Sequence, residues 1–295
     1  MLRQVKGVGD NLLTCYAIAL LAATLSLCTT QSEGAGEPEP AKLKNSTMAA
    51  FESYLKLTEA RNADELKRGT NLFWIDGLAP EQRAEAYAAL KRGEVKMRKL
   101  EETENGKPIH CPGGLIHHWT GVVFIPQAKL DDVLGILEDY DHHSVYFAPD
   151  VERSKIESRS GDHFRVMLRF RRHKVITVVL NTEHEIDYFR DAPDRAHSRS
   201  SAVRIAEVEN AGKTDEREKP PGEDGGYLWR METWWRMEER DGGVYVQSEV
   251  VSLTRDIPAM LNWLIGPFVT SIPRETLTAT LEATRKAVEG RLAKK

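Results

Sequence analysis

GVVFIPQAKLDDVLGILEDYDHHSVYFAPDV, residues 121–151, is the stretch that decides the fold we predict for this chain of 295 residues. A run of β-branched and aromatic residues ends at Pro126, and apolar residues then recur at helical spacing over residues 130–139. After Pro149 the strand-like pattern returns. The order of strand, amphipathic helix and further strands predicts an α+β domain.

Strand-like runs continue downstream and also precede this stretch. The turns Ser160-Gly161-Asp162 and Asp241-Gly242-Gly243 predict hairpins between neighbouring runs, and residues 273–292 carry a helical apolar stripe. We therefore predict an antiparallel sheet of about seven strands, covered by a long C-terminal helix. The predicted strands are residues 95–100, 115–125, 151–159, 163–172, 174–180 with an extension towards 189 left open, 195–209, 226–240 and 244–253.

Local sequence on both sides of the first helix resembles a known superfamily. Val123-Phe124-Ile125-Pro126 lies before the helix, and residues 136–141 and 146–151 follow it. Over residues 113–292 this pattern is similar to the START-like superfamily, also called polyketide cyclase or Bet v 1-like (SRPBCC). The resemblance implies a helix-grip fold, in which a curved sheet wraps around the terminal helix. It also implies an apolar ligand such as a lipid, sterol, quinone or polyketide, and some members are cyclases or dehydratases.

Strand alternation predicts which side chains would line such a cavity, because alternate residues point to the same face of a sheet. In two runs the apolar set is opposed by Arg and Glu, so we expect it to point inward. An ordinary filled core is the competing interpretation, since aromatic and Met side chains suit both. The candidate lining residues are Phe164, Val166, Leu168, Phe170, Tyr227, Trp229, Met231 and Trp235.

An apolar segment at residues 257–268 precedes the terminal helix and is interrupted by Gly266-Pro267. We predict a mobile mouth of the cavity there, or a membrane-facing lip, that carries Trp263 and Phe268. A helix packed into the core is the alternative.

The N-terminal region divides into three parts. Residues 1–28 combine a basic start with an apolar run, which predicts a signal peptide or a membrane anchor, and Leu25-Ser26-Leu27-Cys28 resembles a lipobox whose Cys28 would be lipidated. Residues 29–45 have the composition of a disordered linker. Residues 46–112 predict a small helical extension with an edge strand. From residues 1–28 we expect an exported protein, periplasmic or tethered in the cell envelope.

Composition and motifs exclude several functional classes. A formal net charge of -4 gives no excess of positive charge to neutralise the phosphates of a nucleic acid. The chain carries no nucleophile elbow, phosphate-binding loop or zinc helix, so we predict no catalytic residues, metal or cofactor. A metal site at His142 with Asp139 or Asp141 is less favoured than a polar helix end. Glu249, Arg199 and His197 stay as unranked acid–base candidates.

Together these patterns predict binding or transport of a hydrophobic small molecule or lipid in the cell envelope, with a membrane surface as a second partner. A cyclase, dehydratase or hydrolase acting on an apolar substrate in the same cavity is one alternative. A structural or protein-interaction module is the other.

Overall fold

The computed structural model describes residues 42–173, 177–257 and 262–294, without the side chains of residues 262–270. The predicted signal segment, its Cys28 and most of the predicted linker lie outside the described residues.

Two helices and a small hairpin form the N-terminal layer. Helix α1 spans Asn45–Arg68 and ends at Gly69, whose left-handed conformation suits a residue without a side chain. A 3₁₀ turn at Trp74–Gly77 leads to α2 at Pro80–Lys91, where Pro80 takes the first helical position. Strand β1 spans Lys96–Lys99, and β2 (Thr103–Glu104) pairs with β3 (Lys107–Pro108).

The main sheet is antiparallel between all its described neighbours, and it runs in the order β1-β4-β11-β10-β8-β7-β6-β5 with β9 beside β8. Helices α3 and α4 connect β4 to β5, and α5 follows β11. The bounds are β4 Gly114–Pro126, α3 Leu130–Leu137, a 3₁₀ turn Tyr140–His142, α4 His143–Tyr146, β5 Val151–Ser160, β6 His163–His173, β7 Thr177–Ala192, β8 Arg195–Glu209, β9 Arg217–Glu218, β10 Arg230–Arg240, β11 Gly243–Arg255 and α5 Asn262–Leu292.

Helix α5 packs on one face of this sheet, which we call the inner face. Its buried residues Leu277, Leu281 and Val288 belong to the largest apolar cluster, together with Val123 and Val246 of the central strands. Gly121 permits the close approach, because a Cβ there would lie 2.7 Å from Leu281 Cδ1 and would also collide with the Met97 sulfur. The predicted helix-grip fold is confirmed by this arrangement of sheet and terminal helix.

Several element boundaries differ from the prediction. The sheet has nine strands instead of about seven, because β1, predicted as an edge strand of the N-terminal extension, and the short β9, which was not predicted, both pair with it. Strand β10 begins at Arg230 and not at residue 226. Helix α5 begins at Asn262 and continues through Gly266-Pro267 and Pro273, so these residues do not break it. A proline removes one backbone hydrogen bond, and a long helix held by packing tolerates that loss.

The opposite, outer face of the sheet is covered by the N-terminal layer. Phe51 and Tyr54 of α1 pack with Trp234, Val251 and Leu253. A second apolar cluster joins the 3₁₀ turn and α2 to outer-face residues of β4 and β11, including Val122, Phe124 and Tyr245. The helices and the 3₁₀ turn of residues 46–91 are therefore packed against the sheet as a second layer, and β1 then joins the sheet as its edge strand.

Candidate ligand-binding face

The strand register arranges the inner face into rows of side chains that run across β4, β11, β10, β8 and β7. The closed row is Val123, Val246, Met237 and Ala196; the accessible row is Trp119, Val250, Thr233, Ser200 and Ile186; the histidine row is His117, Ser252, Met231, Ala202 and His184. Between the closed and accessible rows lie Gly121, Ser248, Trp235, Ser198 and Tyr188.

The exposure of the side chains changes from one row to the next, although every row crosses the same central strands of the sheet. Every residue of the closed row is at most 3% exposed, beneath α3 and the C-terminal part of α5. In the accessible row Trp119, Val250, Thr233 and Ser200 are all half-buried. Because a filled core leaves few gaps larger than a water molecule, the accessible row is inner-face surface that the described residues leave partly uncovered.

Buried polar groups accompany the apolar side chains of this region. His184 is 3% exposed, and burial lowers its pKa to about 4, so the ring is neutral at pH 7. Its Nε2 lies 2.9 Å from Oγ1 of Thr182, and its Nδ1 lies 3.3 Å from Oγ of Ser200. The threonine hydroxyl also donates to the carbonyl of Leu168 at 3.1 Å.

His117, at the other end of the histidine row, has a closely similar environment. Burial, helped by the charge of Lys99, lowers its pKa to about 4. Its Nε2 lies 3.0 Å from Oγ1 of Thr254, and that hydroxyl donates to the carbonyl of Arg255 at 3.1 Å. Two neutral imidazoles thus face the same side of the sheet, about 19 Å apart along it at the usual strand spacing.

Ser198 and Ser248 flank Trp235 on the neighbouring strands. Both hydroxyl oxygens are buried and have no hydrogen-bond partner among the described residues. Buried hydroxyls without partners are uncommon, so this part of the inner face is more polar than a packed apolar core requires.

Six of the predicted lining residues lie on the inner face, in two environments. Phe164, Val166 and Leu168 point inward but are buried in the core cluster. Phe170, Met231 and Trp235 are half-buried on the inner face, near the accessible row. The side chains of Trp263 and Phe268 lie outside the described residues.

Tyr227 and Trp229 require a correction. Because β10 begins only at Arg230, the alternation used for the prediction does not extend to them. Trp229 packs with Trp234 in the outer-face cluster, where its Nε1 donates to Asp224 at 2.8 Å. Tyr227 is 40% exposed. The sequence analysis missed Thr182, His184 and Ser200. Ser200 lies within a predicted strand, and the other two lie in the possible extension of the strand 174–180 towards residue 189.

The three acid–base candidates lie on the outer face. His197 pairs with Asp191 at 2.8 Å, and Arg199 pairs with Glu59. Glu249 is buried beneath α1, where Arg61 and His118 contact its carboxylate at 2.5 Å and 2.9 Å. These groups are therefore separated from the accessible row by the sheet itself.

Glu249 belongs to a polar cluster that joins α1 to the sheet. Burial alone would raise the pKa of its carboxyl, but the hydrogen bond from His118 and the charge of Arg61 lower that pKa to about 2. His118 also contacts the Tyr54 hydroxyl at 2.9 Å, and Asn62 donates to Glu249 at 3.2 Å. The cluster positions α1 and is closed to substrate.

Other candidate groups have ordinary structural surroundings. His142 and Asp139 form an exposed pair at 2.7 Å, and no cluster of metal-ligating side chains occurs among the residues described. Burial raises the pKa of the half-buried Cys111 thiol, which opposes thiolate formation. Within the described part of the chain, no helix is long and apolar enough to cross a membrane.

Several solved structures align with this chain at low sequence identity. A STAR-related lipid transfer protein from Xanthomonas axonopodis aligns with 65% of this chain and 98% of its own, at 19% identity and a TM-score of 0.42. The Zhui aromatase/cyclase from Streptomyces sp. R1128 aligns with 60% of this chain and 96% of its own, at 15% identity and a TM-score of 0.38. Human STARD10 aligns with 73% of this chain and 84% of its own, at 9% identity and a TM-score of 0.42.

No family model matches the sequence. No curated protein matches it significantly. By its own element order and sheet topology, the chain has the START-like helix-grip fold. Identities and TM-scores this low carry no inference about ligand or activity.

Proposed function

We propose that this protein binds and carries a hydrophobic small molecule or lipid, held against the accessible row on the inner face. The observation that carries the proposal is the half-buried state of Trp119, Val250, Thr233 and Ser200 in the middle of a sheet whose closed row is fully packed. Binding of an apolar molecule there would remove that surface from water.

The chemistry of this face supports binding more than catalysis. Its aromatic and Met side chains, Trp119, Trp235 and Met231, provide adaptable apolar contacts. The acid–base candidates Glu249, Arg199 and His197 lie on the other face and have partners there.

Native mass spectrometry of the full chain, purified from an envelope fraction and combined with lipid extraction, tests the proposal. We expect an apolar molecule bound at one copy per chain. Replacement of Trp235 by Ala should lower its occupancy, whereas replacement of Val203, which is 48% exposed, by Ala should not. A ligand-free protein that also fails to bind a panel of lipids and quinones would contradict it.

We further propose that the protein acts in the cell envelope. The basic start and the apolar run before Cys28 support export, and the Gly, Pro and Glu-rich residues 29–45 support a flexible connection to the folded body. Cleavage, lipidation at Cys28 and retention as an anchor are the possible fates of residues 1–28. All three are compatible with delivery of an apolar ligand at a membrane surface.

A further inference from the structure

Hydrogen-bond directions on the inner face follow from the contacts of His184. The Thr182 hydroxyl has one hydrogen, and the carbonyl of Leu168 can only accept it. Thr182 must therefore accept the Nε2–H of His184, which leaves the Nδ1 lone pair of the neutral ring facing Ser200. The Ser200 hydroxyl donates its only hydrogen to that Nδ1, and its remaining capacity is to accept.

The contacts of His117 fix its hydrogen-bond directions in the same way. Because the Thr254 hydroxyl donates to the carbonyl of Arg255, it accepts the Nε2–H of His117. No described residue donates to Nδ1 of His117. The acceptors that remain are therefore Oγ of Ser200, beside His184, and Nδ1 of His117.

Among the described residues, charge on this face lies at the ends of its strands and on the edge strand: the buried Glu207 pairs in register with Leu180, and Lys99 pairs in register with Trp119. The accessible row, the histidine row and the row of Trp235 contain no Asp, Glu, Lys or Arg. At the rim, Lys99 is exposed on the edge strand β1, and Arg172 is paired with Asp150 at 2.5 Å. A ligand anion placed at Ser200 would lose its water without gaining a counter-ion.

We propose that the inner face selects a neutral apolar molecule that carries a hydroxyl group, and that this hydroxyl donates its hydrogen to Oγ of Ser200. The inference rests on the proposed function, because it names the substrate class of the same site. His184 is a positioning residue that directs the Ser200 hydrogen away from the ligand. His117 Nδ1 is a second acceptor for a molecule with another donor.

Three probes with one apolar body test the selection: 1-pyrenebutanol, its methyl ether and 1-pyrenebutanoate. Binding to the full chain at pH 7.5 is followed by energy transfer from tryptophan to pyrene. We expect the alcohol to bind about tenfold more tightly than the ether, which corresponds to about 1.4 kcal/mol. The carboxylate should bind more weakly than either.

Matched variants locate the preference. In Ser200→Ala the ratio of alcohol to ether affinity should fall to about one, while ether affinity stays unchanged. His184→Phe should also reduce the ratio, and His184→Asn, whose side-chain oxygen can replace Nδ1 as the acceptor, should restore part of it. Ser201→Ala is the control, because Ser201 points to the outer face and donates to Glu232 at 2.6 Å. Ratios within one variant are independent of a general loss of folded protein.

The outcomes separate the two proposals. Binding of the probes with no preference for the alcohol, or with the carboxylate favoured, would overturn the inference and leave the carrier function standing. An alcohol preference that persists in Ser200→Ala would equally overturn it. Failure of all three probes, together with a ligand-free native mass spectrum, would overturn the proposed function itself.

Discussion

Glu249 is a buried carboxylate whose charge is balanced by residues from a distant part of the chain. Arg61 and Asn62 reach it from α1, and His118 reaches it from β4. Arg236, 3% exposed on the neighbouring strand, forms an ion pair with Glu65 at 2.7 Å and donates to the carbonyl of Leu72 at 2.8 Å. A buried charge that loses its partner is costly, so these residues hold α1 in one position on the sheet.

Replacement of Arg61 by Met should therefore lower the free energy of unfolding by about 3 kcal/mol, because Glu249 would remain buried without its cation. Urea denaturation at pH 7.5 measures the change. Arg68→Met on the same helix is the control. Arg68 pairs with Asp64 at 2.9 Å with both side chains more than half exposed, so its loss should cost at most about 1 kcal/mol.

Addition of Glu249→Gln to Arg61→Met should recover part of the loss, because it removes the unbalanced charge. Equal destabilisation by Arg61→Met and Arg68→Met would show that Glu249 does not depend on Arg61.

Three buried histidines should make the fold sensitive to acid. Burial lowers the pKa of His117, His143 and His184 from 6.5 to about 4. Between these values the unfolded chain binds protons that the folded chain does not. The free energy of unfolding should therefore fall as the pH falls from 6.5 towards 4. Above pH 6.5 these histidines should cause no change of stability with pH.

Thermal unfolding between pH 7.5 and 4 measures this dependence. His143→Gln keeps a side-chain donor for the carbonyls of Ile136 and Leu137, and it should show a shallower loss of Tm than the parent. His163→Gln, in which an exposed histidine is replaced, should keep the parent's slope. A flat Tm across this range would contradict the neutral state of the buried rings.

At the scale of elements, the crossing of α5 over β4 depends on a glycine. Gly121→Ala should destabilise the fold by about 1–3 kcal/mol, since the new Cβ would collide with Leu281 and Met97. Gly290→Ala in α5 is the matched control: apart from its chain neighbours and its own helix backbone, no atom lies within 4 Å of its Cβ position, and alanine favours the helix by up to about 1 kcal/mol. Denaturation curves of the two variants should therefore shift in opposite directions.

Element order was predictable because local periodicity determines it. The hairpins at Gly161 and Gly242 join β5 to β6 and β10 to β11 as predicted. Boundaries were harder to predict where tertiary contacts override local signals. The apolar pattern before Arg230 suggested a longer strand, but the chain there hydrogen-bonds to Glu207 and Asp224 and packs on the outer face.

At the scale of the whole molecule, the N-terminal region should direct export. Residues 1–45 fused to a reporter enzyme that folds only after export should give an active reporter, because a basic start followed by an apolar run is the signal for secretion. Deletion of residues 12–27 should abolish the activity, and deletion of residues 30–40 should preserve it. Activity that survives the first deletion would contradict export by this segment.

The sequence by itself determined the α+β class, the helix-grip order of elements and the inward direction of Phe164, Val166 and Leu168. These features follow from side-chain period and turn chemistry, which act over a few residues. Only the tertiary structure decided which inward side chains are covered, because coverage depends on where α3 and α5 cross the sheet. The tertiary structure also decided the meeting of Thr182, His184 and Ser200, and of Arg61 with Glu249. Such contacts depend on strand register and packing between distant segments, which no local pattern encodes.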